Sequence, residues 1–186
     1  MNGQEVVELA RRTYLEELAR FVMAQAGNFP RGLAEAATLR PENQTLFRGH
    51  YRVDFVGQTS DGAMVPLDVI AKRQMQMASP REGLAGGMKV RIEALAWDDV
   101  EISHDATGDV LAALGPWFET WYDPSDRRRP ADPGRPADVI HWVGIGDNML
   151  LVDFGSAPPG AFWALVEVLR EAGATSLTIR QSPAAV

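Results

Sequence analysis

The chain has 186 residues, 25 acidic against 18 basic, and a formal net charge of -7. Its 46% apolar and 23% charged composition is that of an ordinary globular protein, which excludes a fibrous repeat or a largely disordered chain. The acidic field argues against a polyphosphate partner, so no nucleic acid is expected, and the absence of cysteine removes disulfides, thiolate metal sites and cysteine nucleophiles.

The first nine residues, Met1 to Leu9, are polar and acidic where an export signal would be basic and then apolar. Val7, Ala10, Tyr14, Leu18, Phe21 and Val22 then recur at three- and four-residue steps, which predicts an amphipathic helix over Gln4 to Ala26, ended by Gly27, Asn28 and Pro30. A short helix is expected over Leu33 to Leu39, closed by Pro41. Tyr51, Val53 and Phe55 alternate with Arg52 and Asp54, and Met64 to Ala71 is rich in β-branched and apolar residues, so the two runs read as a hairpin. Pro66 places the second of these strands at an edge or a bulge, because proline has no ladder donor.

Ser79 to Gly87, with Pro80 and three glycines, reads as a flexible loop. Val90 to Ala94 and Val100 to Ile102 alternate on either side of Trp97, Asp98 and Asp99, as a bent strand or a tight hairpin. Thr107 to Tyr122 returns to helical spacing, kinked or split by Gly115 and Pro116. Asp123 to Asp138, with four prolines and three consecutive arginines, reads as a loop and as the only plausible internal boundary.

Ile140 to Ile145 and Met149 to Phe154 form a second hairpin, Ser156 is placed to cap a helix carrying Phe162, Leu165, Val166 and Leu169, and Leu177 to Arg180 makes a final strand. No apolar run approaches the roughly 18 residues of a membrane-crossing helix. The expectation is a single α+β domain in the cytoplasm, its mixed, largely antiparallel sheet packed by an N-terminal helix, a central aromatic-rich helix and a C-terminal strand-helix-strand unit.

No catalytic motif stands out. The histidines His50, His104 and His141 have none of the local spacing of a metal site, so no metal and no cofactor are expected. His104 beside Asp105, and His50 with Asp54 on one strand face, are oriented imidazoles without a marked nucleophile, and Ser156 lacks the surrounding glycines of a nucleophile elbow. Val69 to Lys72, His104 with Asp105, and Asp153 to Gly155 spell three kinase-like fragments in order, but the chain is too short for a kinase and no glycine-rich loop, catalytic-loop arginine or downstream asparagine accompanies them.

Five tryptophans are many for this length. Trp117, Phe118, Trp121 and Tyr122 crowd one short helix, which is expected to leave aromatic surface for a protein partner, with Arg127, Arg128 and Arg129 beside it. The overall make-up resembles the small acidic α+β immunity proteins of bacterial toxin systems, which neutralise a toxin by covering its active site. That resemblance implies a non-enzymatic bacterial protein-binding domain. The alternative is a small-ligand binder or enzyme with a pocket near His104, Asp105 and His141; a homo-oligomer joined near Pro66 or through the aromatic helix is a third reading.

Overall fold

A computed structural model describes residues 2–69, 76–132 and 135–182. Helix α1 (Gly3–Ala26) opens with a capping box in which the Asn2 side chain accepts from the Glu5 backbone while Glu5 reaches back to the Asn2 N–H. Its buried stripe of Val6, Val7, Ala10, Tyr14, Leu18 and Val22 follows the expected helical spacing.

Strands β1 (Arg31–Leu39), β2 (His50–Gln58) and β3 (Met64–Leu67) form an antiparallel sheet in that order. The helix expected over Leu33 to Leu39 is therefore a strand. Its alanines favour helix locally, but β1 pairs with β2 along its whole length, from Arg31 opposite Gln58 to Leu39 opposite His50, and tertiary pairing overrides propensity. Pro66 lies on the edge strand β3, as its missing donor requires. The strand expected to run on to Ala71, and Lys72 after it, pass outside the described residues.

The second sheet has six strands in the order β4 (Gln76–Ala85), β5 (Met88–Ala94), β9 (Ser176–Gln181), β6 (Val100–His104), β8 (Met149–Asp153), β7 (Trp142–Gly146). The stretch read as a flexible loop, Ser79 to Gly87, is thus largely strand. Its glycines at positions 86 and 87 take φ of +54° and +90° and make the two-residue turn into β5. Strands β5 and β6 form neither a bent strand nor a hairpin, because β9 lies between them, parallel to β5 and antiparallel to β6. Ile92, Ile179, Ile102 and Leu150 share one cross-sheet row and are all buried.

Helix α2 (Val110–Tyr122) is capped by Asp109 and holds Pro116 without being split, and it packs on α3 (Pro159–Glu171). Ser156 is not the cap of α3. That position is Pro158, and the buried Ser156 Oγ accepts from the Val139 N–H instead. The two sheets meet where β2 runs beside β7. Arg52 N–H donates to the His141 carbonyl at 2.9 Å, Leu46 bridges to Gly144, and Ile145 N–H donates to the Thr45 carbonyl at 2.8 Å.

Candidate functional site

The junction between the sheets is filled by charged side chains. The β1–β2 register puts Glu35 opposite Asp54, and both carboxylates reach His141, which directly precedes β7. His141 Nε2 lies 2.9 Å from Glu35 Oε1, while Nδ1 is 3.3 Å from Asp54 Oδ1 and 3.6 Å from Asp153 Oδ2 without hydrogen-bond alignment to either. Tyr14 of α1 donates to Asp54 at 2.5 Å, and the N–H groups of Ala137 and Ser156 donate to Glu35 at 2.5 and 3.2 Å.

Glu35 takes this place at φ +51°, a left-handed conformation costly for a side chain with a Cβ. Its hydrogen bonds hold it there. Gly155 is similarly constrained. It has φ +47°, and a Cβ on it would come within 2.2 Å of the His141 ring, so the imidazole packs directly on backbone that only glycine leaves open. Behind the cluster Arg52, with a fully buried side chain, donates to the carbonyls of Glu35, Tyr122 and Asp123 at 2.9 to 3.1 Å and pairs with Asp126 at 3.2 Å.

Burial raises the Asp54 carboxyl to about 6, with His141 opposing and the Asp153 charge adding to the rise. Burial, then the Asp153 charge, lifts the half-buried Asp98 carboxyl to about 7. For Glu35 burial also pushes upward, but the hydrogen bond from His141 and the charge behind it outweigh this and hold the group below the usual glutamate range. Burial alone would lower His141, yet the surrounding Asp153, Glu35 and Asp54 raise it well above the ordinary imidazole value. The arrangement is a buried imidazolium held among carboxylates. It ties β1, β2, β7 and α1 into one unit, and among the described residues no group of three or more His, Asp or Glu side chains is placed to hold a metal ion.

The candidate ligand trio is not assembled. His104 ends β6 beside Met149 and Asn148, whereas His141 lies past the other end of the same strand pair, where Val100 faces Val152. At about 3.3 Å per residue, four residues of strand put about 13 Å between those ends. Asp105 accepts from the backbone and hydroxyl groups of Thr175 and Ser176, at 2.6 to 3.0 Å, and so ties down the loop before β9. His50 and Asp54 share a face of β2, but the His50 ring packs on Phe118 and Tyr122 while Asp54 serves His141.

The aromatic helix does not offer the surface its composition led us to expect. Trp117, Phe118 and Tyr122 are 4%, 0% and 1% exposed, because α2 is covered on two sides. Trp117 Nε1 donates to Ala161 of α3, and Phe118 stacks with Tyr122 and meets Phe47 and His50. Trp121 is half-buried beneath the Arg128 guanidinium. The three arginines are engaged within the loop: Arg127 with Asp123, Arg128 with the Asp138 carbonyl and Arg129 with Asp126.

The strand that stands where a loop was expected offers a further site. The two-residue turn makes Ala85 and Met88 a hydrogen-bonded pair, so ladder alternation turns the N–H and C=O of Glu82 and Leu84 away from β5. β4 ends the sheet, and nothing among the described residues pairs with those groups. A groove runs along each face of this edge. One, of about 510 Å³, is lined by Arg81, Gly83, Val90, Ile92, Gly3 and Trp163. The other, of about 500 Å³, is lined by Glu82, Leu84, Lys89, Arg91, Ser176 and Thr178, and Leu84 is 75% exposed beside it. The signal available was the Gly86-Gly87 turn pair, which marks a hairpin when strand-like residues flank it. Comparison of the chain with protein-family models, with curated proteins and with solved structures finds no match.

Proposed function

We propose that this chain is a non-enzymatic protein-binding domain that takes up its partner along the outer edge of β4. The observation that supports this reading is the unpaired backbone of Glu82 and Leu84, flanked on both faces by grooves into which alternate side chains of an added strand fit. Natural sheets cover, shorten or charge such edges. Here Pro80 blunts only the start of the usable stretch, and the exposed Leu84 stands in its middle. An immunity-type role against a toxin is one use of such a domain. It draws on the acidic composition, and a cytoplasmic location belongs to the same proposal.

The test is capture of partners from a native lysate by the wild-type chain and by Leu84→Pro, which deletes an outward N–H without touching the β4–β5 ladder. A partner retained in stoichiometric amount by the wild type and lost by the variant, with unchanged thermal melting, supports edge binding. Equal retention by both removes it. A ligand pocket built on His104, Asp105 and His141 has no comparable support, since those side chains are not gathered.

A further inference from the structure

The chemistry of the groove narrows what the β4 edge accepts. Residues directly opposed across β4 and β5 share a face, so Arg81, Gly83 and Ala85 stand with Ile92, Val90 and Met88 on the helix-covered side. The groove on that side is mixed, with Val90 and Ile92 beneath it, Trp163 along it and Asn2, Gln4 and Glu82 at its rim. Within it Arg81 has a buried Nε without a hydrogen-bond partner, and none of the ion pairs among the described residues involves its guanidinium. Glu82, next in sequence, points to the other face and pairs with Arg91 at 2.9 Å. Among the described residues the cation on the groove side is therefore left without an ion-pair partner.

Gly83 sharpens the picture. A Cβ at this position would meet nothing within 4 Å, so packing within the chain does not demand a glycine there. The effect of its missing side chain is to keep the groove open over Val90, two residues along the same face from Arg81.

Resting on the edge-binding reading, we infer that the occupant of β4 is an extended segment of another protein carrying an acidic side chain for Arg81 and, two residues away on the same face, an apolar side chain that enters the groove over Gly83. Pro80 cannot donate, so the usable edge spans Arg81 to Ala85 and pairing rests on the N–H and C=O groups of Glu82 and Leu84. Main-chain bonds supply the attachment, while the acidic and apolar side chains supply the selection.

The experiment uses labelled nine-residue peptides of alternating threonine and valine, with one central valine replaced by glutamate, by glutamine or left unchanged, titrated against the full chain by fluorescence anisotropy. The glutamate peptide is expected to bind at least tenfold more tightly than the glutamine peptide, to lose that advantage with Arg81→Gln, and to slow hydrogen exchange at the Glu82 and Leu84 amides. Equal binding of the glutamate and glutamine peptides, weakened by Leu84→Pro, would overturn the acidic requirement while leaving edge binding in place. Binding unaffected by Leu84→Pro, or no binding by any peptide, would overturn the inference; in either case the lysate comparison decides separately whether the edge reading falls with it. A doubled solution mass that returns to monomer with Leu84→Pro would make a second copy of this chain the occupant and likewise overturn it.

Discussion

The two edges of the six-stranded sheet are treated in opposite ways. At β7 the outward N–H of Ile145 is used by Thr45, Gly144 bridges to Leu46, and the strand begins beside the buried His141 cluster. At β4 the outward groups of Glu82 and Leu84 have no partner among the described residues and face open grooves. The first edge is where the chain joins its second sheet, and its ionic groups specify that union. The second edge has no such partner among the described residues. The chemically conspicuous residues are therefore internal, and the binding candidate is built mostly of backbone.

The comparison breaks most sharply at the cluster. Glu35→Ala removes one partner of a buried ion pair and is expected to cost about 3 to 5 kcal/mol, read as a large fall in the denaturant midpoint. Gly155→Ala combines a left-handed backbone with a methyl group driven into the His141 ring, and about 2 to 4 kcal/mol is expected in the same measurement. Retention of wild-type stability by both variants would deprive the β7 side of its assigned role.

Proline at the two edges gives the direct contrast. Ile145→Pro strands the Thr45 carbonyl and should cost about 2 kcal/mol. Leu84→Pro deletes an outward donor that has no partner among the described residues and should change stability by less than about 0.5 kcal/mol. Equal costs would mean that β4 is covered after all.

A pH effect is comparable in size to the cluster substitutions. Asp98, raised to about 7, binds in the folded state a proton that the unfolded chain releases near pH 4, so stability falls as pH rises across that window. His141, raised above its ordinary value by its carboxylates, continues the fall at pH above about 6.5. Glu35, held low, acts in the opposite sense, and its contribution is lost as pH drops below the usual glutamate range. A decline of about 3 kcal/mol between pH 5 and 7.5 is expected in thermal or denaturant melts, with its lower part flattened by Asp98→Asn. A flat wild-type profile would contradict the charge states assigned to the cluster.

Much of the fold could be read from periodicity. The stripe of α1, the alternation of β2 and β5 and the apolar face of α3 all report which side meets the core, because burial selects residue type position by position. The alanines of β1 and the glycines of β4 gave no such report. What makes them strands is pairing with β2 and β5, a non-local fact. The cluster was half legible. Arg52 and Asp54 are charges inside an otherwise apolar strand, and Asp153 closes another, which marks inward polar groups without naming their partners. Glu35 lies 106 positions from His141, and no local pattern could join them. The crowded aromatics of α2 misled because one face was assumed to be buried where two are.

The place of β9 has a consequence for synthesis. The strand that joins β5 to β6 is Ser176–Gln181, the last in chain order among the described residues. Until those residues have left the ribosome, the β4–β5 hairpin and the β6–β8–β7 group have no shared neighbour, and both expose apolar rows made to flank it. Ile92 and Ile102 therefore wait for Ile179, which is made 77 residues after Ile102. The nascent chain is at its most adhesive just before β9 emerges, and closure of the sheet is a single event governed by distant contacts.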